Sequence, residues 1–222
     1  MSEWLTTILA TFAGLFPIVN PFSTAVVFLA ITANLTDAER QRQALLACCY
    51  ATGVLLVFLF GGSLLINFFG ISMPALRLAG GLIVARVGFG MLSPPDPEDD
   101  PAQGTRRADV AFTPLAVPML SGPGSIAVTI GMAAGADSLA EYAAIAAGIA
   151  MVVAVSYAVL SSARAVKRGL GEQGLDALTR IMGFLLVCIG VQFVGVAVVE
   201  VVTDPSLLGA IADALQQRPR GV

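Results

Sequence analysis

Two proline-interrupted segments hold the residues whose types could do chemistry. One is Asn20-Pro21, followed by Ser23 and Thr24; the other is Ser121-Gly122-Pro123, followed by Gly124 and Ser125. Proline removes a backbone donor and clashes with the preceding turn, and the residue before it is pushed out of helical geometry. Each segment also reads as a helix restart. Asn20 is a good N-cap with Pro21 at the first helical position, and Ser121 or Gly122 can do the same before Pro123. A helix start carries free N–H groups and a partial positive charge, which suits a carboxylate or another anionic group. Side-chain oxygens from Asn20, Ser23, Thr24, Ser121 and Ser125, with carbonyls freed near Phe16, Pro17 and Val117, could hold an ammonium group or Na+, the ion near Asn20 and Ser121. A zwitterionic amino acid would satisfy both demands. The expected substrate-binding set is therefore Asn20, Pro21, Ser23, Thr24, Ser121, Gly122, Pro123, Gly124 and Ser125, with no catalytic residue.

Both segments sit near the centres of long apolar runs. No charge occurs between Glu3 and Asp37, and the next uncharged run goes from Gln43 to Leu76. A helix crossing the hydrocarbon needs about 20 residues. The runs predict an all-α, polytopic membrane protein of six spans. The first lies before Asp37, and the others lie at about 45–69, 75–92, 110–134, 141–162 and 181–199. A Pro- and acid-rich loop at 93–109 divides the chain. A charged loop at 164–180 precedes the last span, and the polar tail from 203 carries a short surface helix at 206–215.

Composition agrees. The chain has 222 residues, 57% hydrophobic and only 12% charged, whereas a soluble domain is nearer a quarter charged. Net charge is −3 and no basic face suggests nucleic acid. Cys48, Cys49 and Cys188 lie in apolar runs without zinc-ligand spacing and read as packing residues. Histidine is absent, which removes Ser-His and Cys-His catalysis and His-ligated metals. The start Met1-Ser2-Glu3-Trp4 lacks a positive n-region, so the first apolar segment is expected to stay as a span.

The two halves resemble each other. Leu76-Arg77-Leu78-Ala79-Gly80-Gly81-Leu82-Ile83-Val84 matches Thr179-Arg180-Ile181-Met182-Gly183-Phe184-Leu185-Leu186-Val187 at an offset of 103 (Arg180 against Arg77). Pro17-Ile18-Val19-Asn20-Pro21 answers Pro118-Met119-Leu120-Ser121-Gly122-Pro123 at nearly the same offset. Units of three spans put the second copy in the membrane upside down, an arrangement typical of secondary transporters with a midplane site. The expected division is 1–92 as the first three-helix repeat, 93–109 as a cytoplasmic linker, 110–202 as the second repeat, and 203–222 as the tail. In each repeat the first helix is broken. Arg40, Arg42, Arg106, Arg107, Arg164, Lys167 and Arg168 share one side, so the positive-inside rule places both termini outside.

One proline kink alone would read as an ordinary feature of a membrane helix. Paired kinks at repeat-equivalent positions, each with a capping residue and small polar neighbours, favour a site. Arg86 can snorkel to the interface or line a pathway. Gln192 and Asn67 need partners, which a neighbouring helix can supply. Glycines in spans three and six suit close helix contact.

These residues bring a family into view. The chain resembles the MarC family of bacterial inner-membrane proteins, also called SnatA-type neutral amino acid transporters. The matches are Pro17-x-x-Asn20-Pro21 with Phe28-Leu29-Ala30-Ile31-Thr32, Arg77-x-x-Gly80-Gly81, and Phe112-x-Pro114-x-Ala116-x-Pro118 running into Ser121-Gly122-Pro123-Gly124-Ser125. The likeness covers about 11–199. It implies six spans, membership of the LysE-like transporter group, and Na+- or H+-coupled symport of small neutral amino acids such as glycine and alanine. In the first element Phe22-Ser23 stands where many members carry glycine, which alters the shape of that half-site. The expected function is thus a secondary amino acid transporter in a bacterial-type inner membrane. It needs no cofactor beyond a coupling ion, works as monomer or homodimer, and is not an enzyme. A channel or passive exporter of a small solute is the alternative, since half-helices can also line a pore.

Overall fold

The computed structural model describes residues 3–92, 115–116 and 120–204. Among them every element is a helix: α1 (Glu3–Val19), α2 (Pro21–Ile31), α3 (Asp37–Phe69), α4 (Met73–Leu92), α5 (Pro123–Ala134), α6 (Leu139–Ser161) and α7 (Ala163–Val202). The expected loop 93–109, the start of the fourth span with Phe112, Pro114, Val117 and Pro118, and the surface helix at 206–215 lie outside the described residues.

Local sequence explains where the helices begin and end. Pro21 gives the Pro17 carbonyl no N–H, so the first span splits into α1 and α2 around Asn20. Thr36 and Glu39 cap α3 reciprocally, and Gly70 ends it in the left-handed region (φ 64°) with Ile71 N–H donating to the Ile66 carbonyl at 2.9 Å. Ser138 caps α6 by accepting from the Glu141 N–H. One expectation is corrected. The charged stretch 164–180 is helical, not a loop, and α7 runs through it with a single break at Gly171 (φ 68°, ψ 177°). Ala, Leu, Lys and Arg are good helix formers, and no proline interrupts them.

Five stretches are long and apolar enough to cross a bilayer: Glu3–Ile31, Asp37–Phe69, Met73–Leu92, Leu139–Ser161 and Gln173–Val202. The described part of the fourth expected span is the shorter α5, of 12 residues. At 1.5 Å per residue it rises about 18 Å, a little over half of the roughly 30 Å hydrocarbon layer. α2, with 11 residues, is similar. Large apolar side chains such as Leu64 (74% exposed) and Phe68 (80% exposed) cover the outer surface, as a lipid solvent allows.

α1, α3, α5 and α6 pack around a core that includes Leu15, Leu55, Leu59, Ile149 and Val152. α4 lies along α7. Their contact rests on reciprocal glycines. A methyl group on Gly81 would sit 2.7 Å from the Gly190 carbonyl, and one on Gly88 2.6 Å from the Gly183 carbonyl. As position rises by seven in α4 it falls by seven in α7, so the pair is antiparallel. Without a hydrophobic force between helices in lipid, such backbone proximity supplies the van der Waals contact that holds them. Arg77 and Glu200 form an ion pair at the end of this contact.

Arg40 fixes the far end of α2. It is 7% exposed, and its guanidinium donates to Thr32 Oγ1 (3.1 Å), the Thr32 carbonyl (2.8 Å), the Leu35 carbonyl (3.3 Å) and Asp37 (2.9 Å). A cation at a helix C-terminus meets carbonyls that the helix cannot satisfy. Asp37 also pairs with Arg164 at the start of α7, so one carboxylate joins the α2–α3 and α6–α7 connections.

Candidate functional site

The starts of α2 and α5 face one cavity of about 330 Å³. Its lining includes Asn20, Ser23, Thr24, Gly122, Pro123, Gly124 and Ser125. Of the nine residues expected from the sequence, the fold brings these seven to the same space. Pro21 and Ser121 stand just behind it. Ser121 is fully buried, and both its N–H and its hydroxyl donate to the Ala116 carbonyl at 2.8 Å.

The two helix starts differ. At α2, Asn20 takes a left-handed conformation (φ 39°, ψ 71°), the sole positive φ among described residues other than glycine. Such a backbone costs energy that its surroundings must sustain, and it clusters at functional sites. Its side chain closes the helix end: Oδ1 accepts from the Ser23 N–H at 3.3 Å, and Nδ2 donates to Ser23 Oγ at 3.0 Å and approaches Met91 Sδ at 3.6 Å. Ser23 Oγ in turn donates to Thr179 Oγ1 at 3.1 Å, linking α2 to α7. Thr24 Oγ1 donates back to the Asn20 carbonyl at 3.1 Å. The polar atoms of this half-site therefore hold one another.

At α5 the start is open. Gly122 is the N-cap residue and offers no side-chain bond, and Pro123 has no N–H. The first-turn amides of Gly124 and Ser125 have no intrahelical carbonyl in reach. Among the described residues the Ser125 hydroxyl, 1% exposed, finds no hydrogen-bond partner. Buried hydroxyls are nearly always bonded, and this one lies on the cavity wall. Hydroxyl, two amides and the helix dipole together form a small donor cluster suited to an anionic group.

Ile83, Val84, Val87 and Met91 of α4 and Leu186 of α7 complete this lining beside the helix starts, with Met91 Sδ 3.6 Å from Asn20 Nδ2. Sequence reasoning missed these residues because apolar side chains on a membrane helix look alike whether they face lipid or a cavity. One signal was available: Ile83 and Leu186 are repeat-equivalent at the offset of 103. Among the described residues no charged side chain lines the cavity. Arg86, Gln192 and Asn67 are exposed and do not line it. For the cation suggested near Asn20 and Ser121 the fit is poor: Asn20 Oδ1 caps α2, and Ser121 Oγ points to the Ala116 carbonyl. No ion-binding step follows from them.

Comparison with known proteins adds to this geometry. A family model described as MarC family integral membrane protein matches residues 5–202. Curated relatives named UPF0056 inner membrane protein MarC, from Escherichia coli K12 and from Shigella flexneri, are each 37% identical over 203 residues, covering 85% of this chain and 92% of the relative. No solved structure matches.

Proposed function

Because this chain belongs to the MarC family of integral membrane proteins, we propose that it is a secondary transporter for neutral amino acids, holding its substrate in the cavity between the starts of α2 and α5. Membership and the five apolar helices make it a multi-pass inner-membrane protein. The observation that carries the transport reading is the Ser125 hydroxyl: buried, without a partner among the described residues, and set on the cavity wall at an uncapped helix start. A carboxylate satisfies it together with the Gly124 and Ser125 amides. An ammonium group on the same molecule faces the Asn20, Ser23 and Thr24 half, where it competes with the bonds those side chains make among themselves. A cavity without charged lining suits a solute of zero net charge.

In this reading the chain is two inverted three-helix repeats, 1–92 and 110–202, joined by a cytoplasmic linker at 93–109, with both termini outside. Support comes from the antiparallel, reciprocal glycine contacts of α4 and α7 and from the half-membrane lengths of α2 and α5. Both walls of the cavity come from one chain, so a monomer or each half of a homodimer holds a whole site. Coupling to Na+ or H+ would supply the driving force, and nothing in the reading calls for catalysis.

The test is uptake of radiolabelled glycine, alanine, serine and leucine into proteoliposomes under an imposed Na+ or H+ gradient. Saturable, gradient-driven accumulation that Ser125→Ala weakens is the expected result. Flux without saturation would replace the transporter with a channel, and no accumulation of any amino acid would remove the substrate assignment.

A further inference from the structure

Resting on the transporter reading, we infer that the cavity favours neutral amino acids whose side chain is apolar and larger than a methyl group, and that the α4–α7 wall sets this preference. The lining is divided by chemistry. Its polar side chains, Asn20, Ser23, Thr24 and Ser125, all come from the two broken-helix segments. The α4 and α7 part of the lining, Ile83, Val84, Val87, Met91 and Leu186, offers no hydroxyl, amide or charge. A zwitterion whose carboxylate meets α5 and whose ammonium meets the Asn20 half has its side chain left for a surface of hydrocarbon and thioether.

Size agrees with chemistry. A cavity of about 330 Å³ is many times the space that a single water requires. Glycine or alanine would leave most of that space to water held against an apolar wall, which the hydrophobic effect disfavours. Side chains like those of valine, leucine or methionine displace that water and gain with each methylene buried. Met91 is unbranched and polarizable, so it can adapt to side chains of different shape. Glutamine would lose its hydrogen bonds to water and find no replacement on this wall.

Thermal stabilisation of the purified full-length protein tests this. Wild type, Val87→Phe and Ile83→Phe are titrated with glycine, alanine, valine, leucine, methionine and glutamine. Val87 and Ile83 are 49% and 38% exposed, so a ring at either position narrows the cavity without entering the packed core, and either variant suffices if the other does not fold. Leucine and methionine are expected to bind wild type about tenfold tighter than glycine, with glutamine weakest. Either Phe variant should lose about tenfold or more for leucine and stay within about twofold for glycine. If glycine and alanine stabilise wild type but leucine and methionine do not, the preference is refuted and the transporter reading stands. The same holds if both Phe variants keep full leucine affinity. If no amino acid stabilises wild type, both readings fall.

Discussion

Replacing Ser125 by alanine should stabilise the protein while weakening its binding of substrate. The hydroxyl is 1% exposed and has no partner among the described residues. An unmade hydrogen bond at such a site costs about 1–3 kcal/mol. Removing the oxygen relieves that cost and leaves an alanine in the first turn of α5, where its helix propensity is better by a few tenths of a kcal/mol, on the order of 0.5. For a chain of this length about 1 kcal/mol corresponds to some 2–4 °C in Tm, so the melt in detergent should rise by roughly 3–14 °C. Thr129→Ala is the control. Its hydroxyl is fully buried one turn later and donates to the Ser125 carbonyl at 2.8 Å. That change deletes a bond already made and should lower stability by about 1 kcal/mol. With substrate the order reverses. Loss of a donor to a carboxylate is worth about 1.5–3 kcal/mol, or roughly 10- to 100-fold in Kd. Differential scanning of both variants, with and without the best amino acid, reads all four quantities. If Ser125→Ala melts as low as Thr129→Ala, the hydroxyl has a partner in the resting protein and the donor cluster is not open.

Three further outcomes follow from the packing. Gly190→Ala and Gly195→Ala lie five residues apart on α7, yet a methyl on Gly190 would come within 2.6 Å of the Gly81 carbonyl, while one on Gly195 meets nothing within 4 Å. Melting should fall for Gly190→Ala by about 1–3 kcal/mol and rise for Gly195→Ala by about 0.5–1 kcal/mol; shifts of the same sign would contradict the close α4–α7 contact. Asn20→Gly keeps the left-handed backbone and loses the cap, whereas Asn20→Ala loses the cap and strains the backbone. The second should therefore melt lower by about 1 kcal/mol or more, and equal melts would place Asn20 in an ordinary conformation. Arg40→Lys should destabilise by about 1.5–3 kcal/mol, because an ammonium cannot reproduce the forked contacts to Thr32, Leu35 and Asp37; a melt unchanged by Arg40→Lys would show those contacts to be dispensable.

What the sequence disclosed depended on backbone chemistry. Asn20-Pro21 and Gly122-Pro123 announce helix starts because proline lacks a donor wherever it occurs, and α2 and α5 both begin at those prolines. One span end was legible for the same kind of reason: Gly70 stops α3 after Phe69, although α3 starts at Asp37, ahead of the expected 45, with charged residues in its first turns. The stretch 164–180 was misread because charge was taken to mean loop. Charge governs depth in the membrane, whereas propensity governs helix, and α7 continues from one medium into the other. The α4–α7 wall of the cavity was not legible. Whether Val87 faces lipid or cavity depends on the rotation of α4, which Gly81 and Gly88 set by their fit against α7, and a single sequence carries that fit only as glycines.

The difference between the half-sites has the same origin. Asparagine at the first break brings its own acceptor and donor, so α2 closes on itself and on Ser23. Glycine at the second brings neither, and the adjacent Ser121 turns back to the Ala116 carbonyl. A duplication that placed asparagine at both breaks would satisfy both helix starts internally and leave little for a ligand to do. With one start closed and one open, binding energy concentrates where buried donors lack acceptors, since a group left unmade costs more than a typical bond gains. The closed half has a structural part to play: through Ser23 and Thr179 it ties the start of α2 to α7.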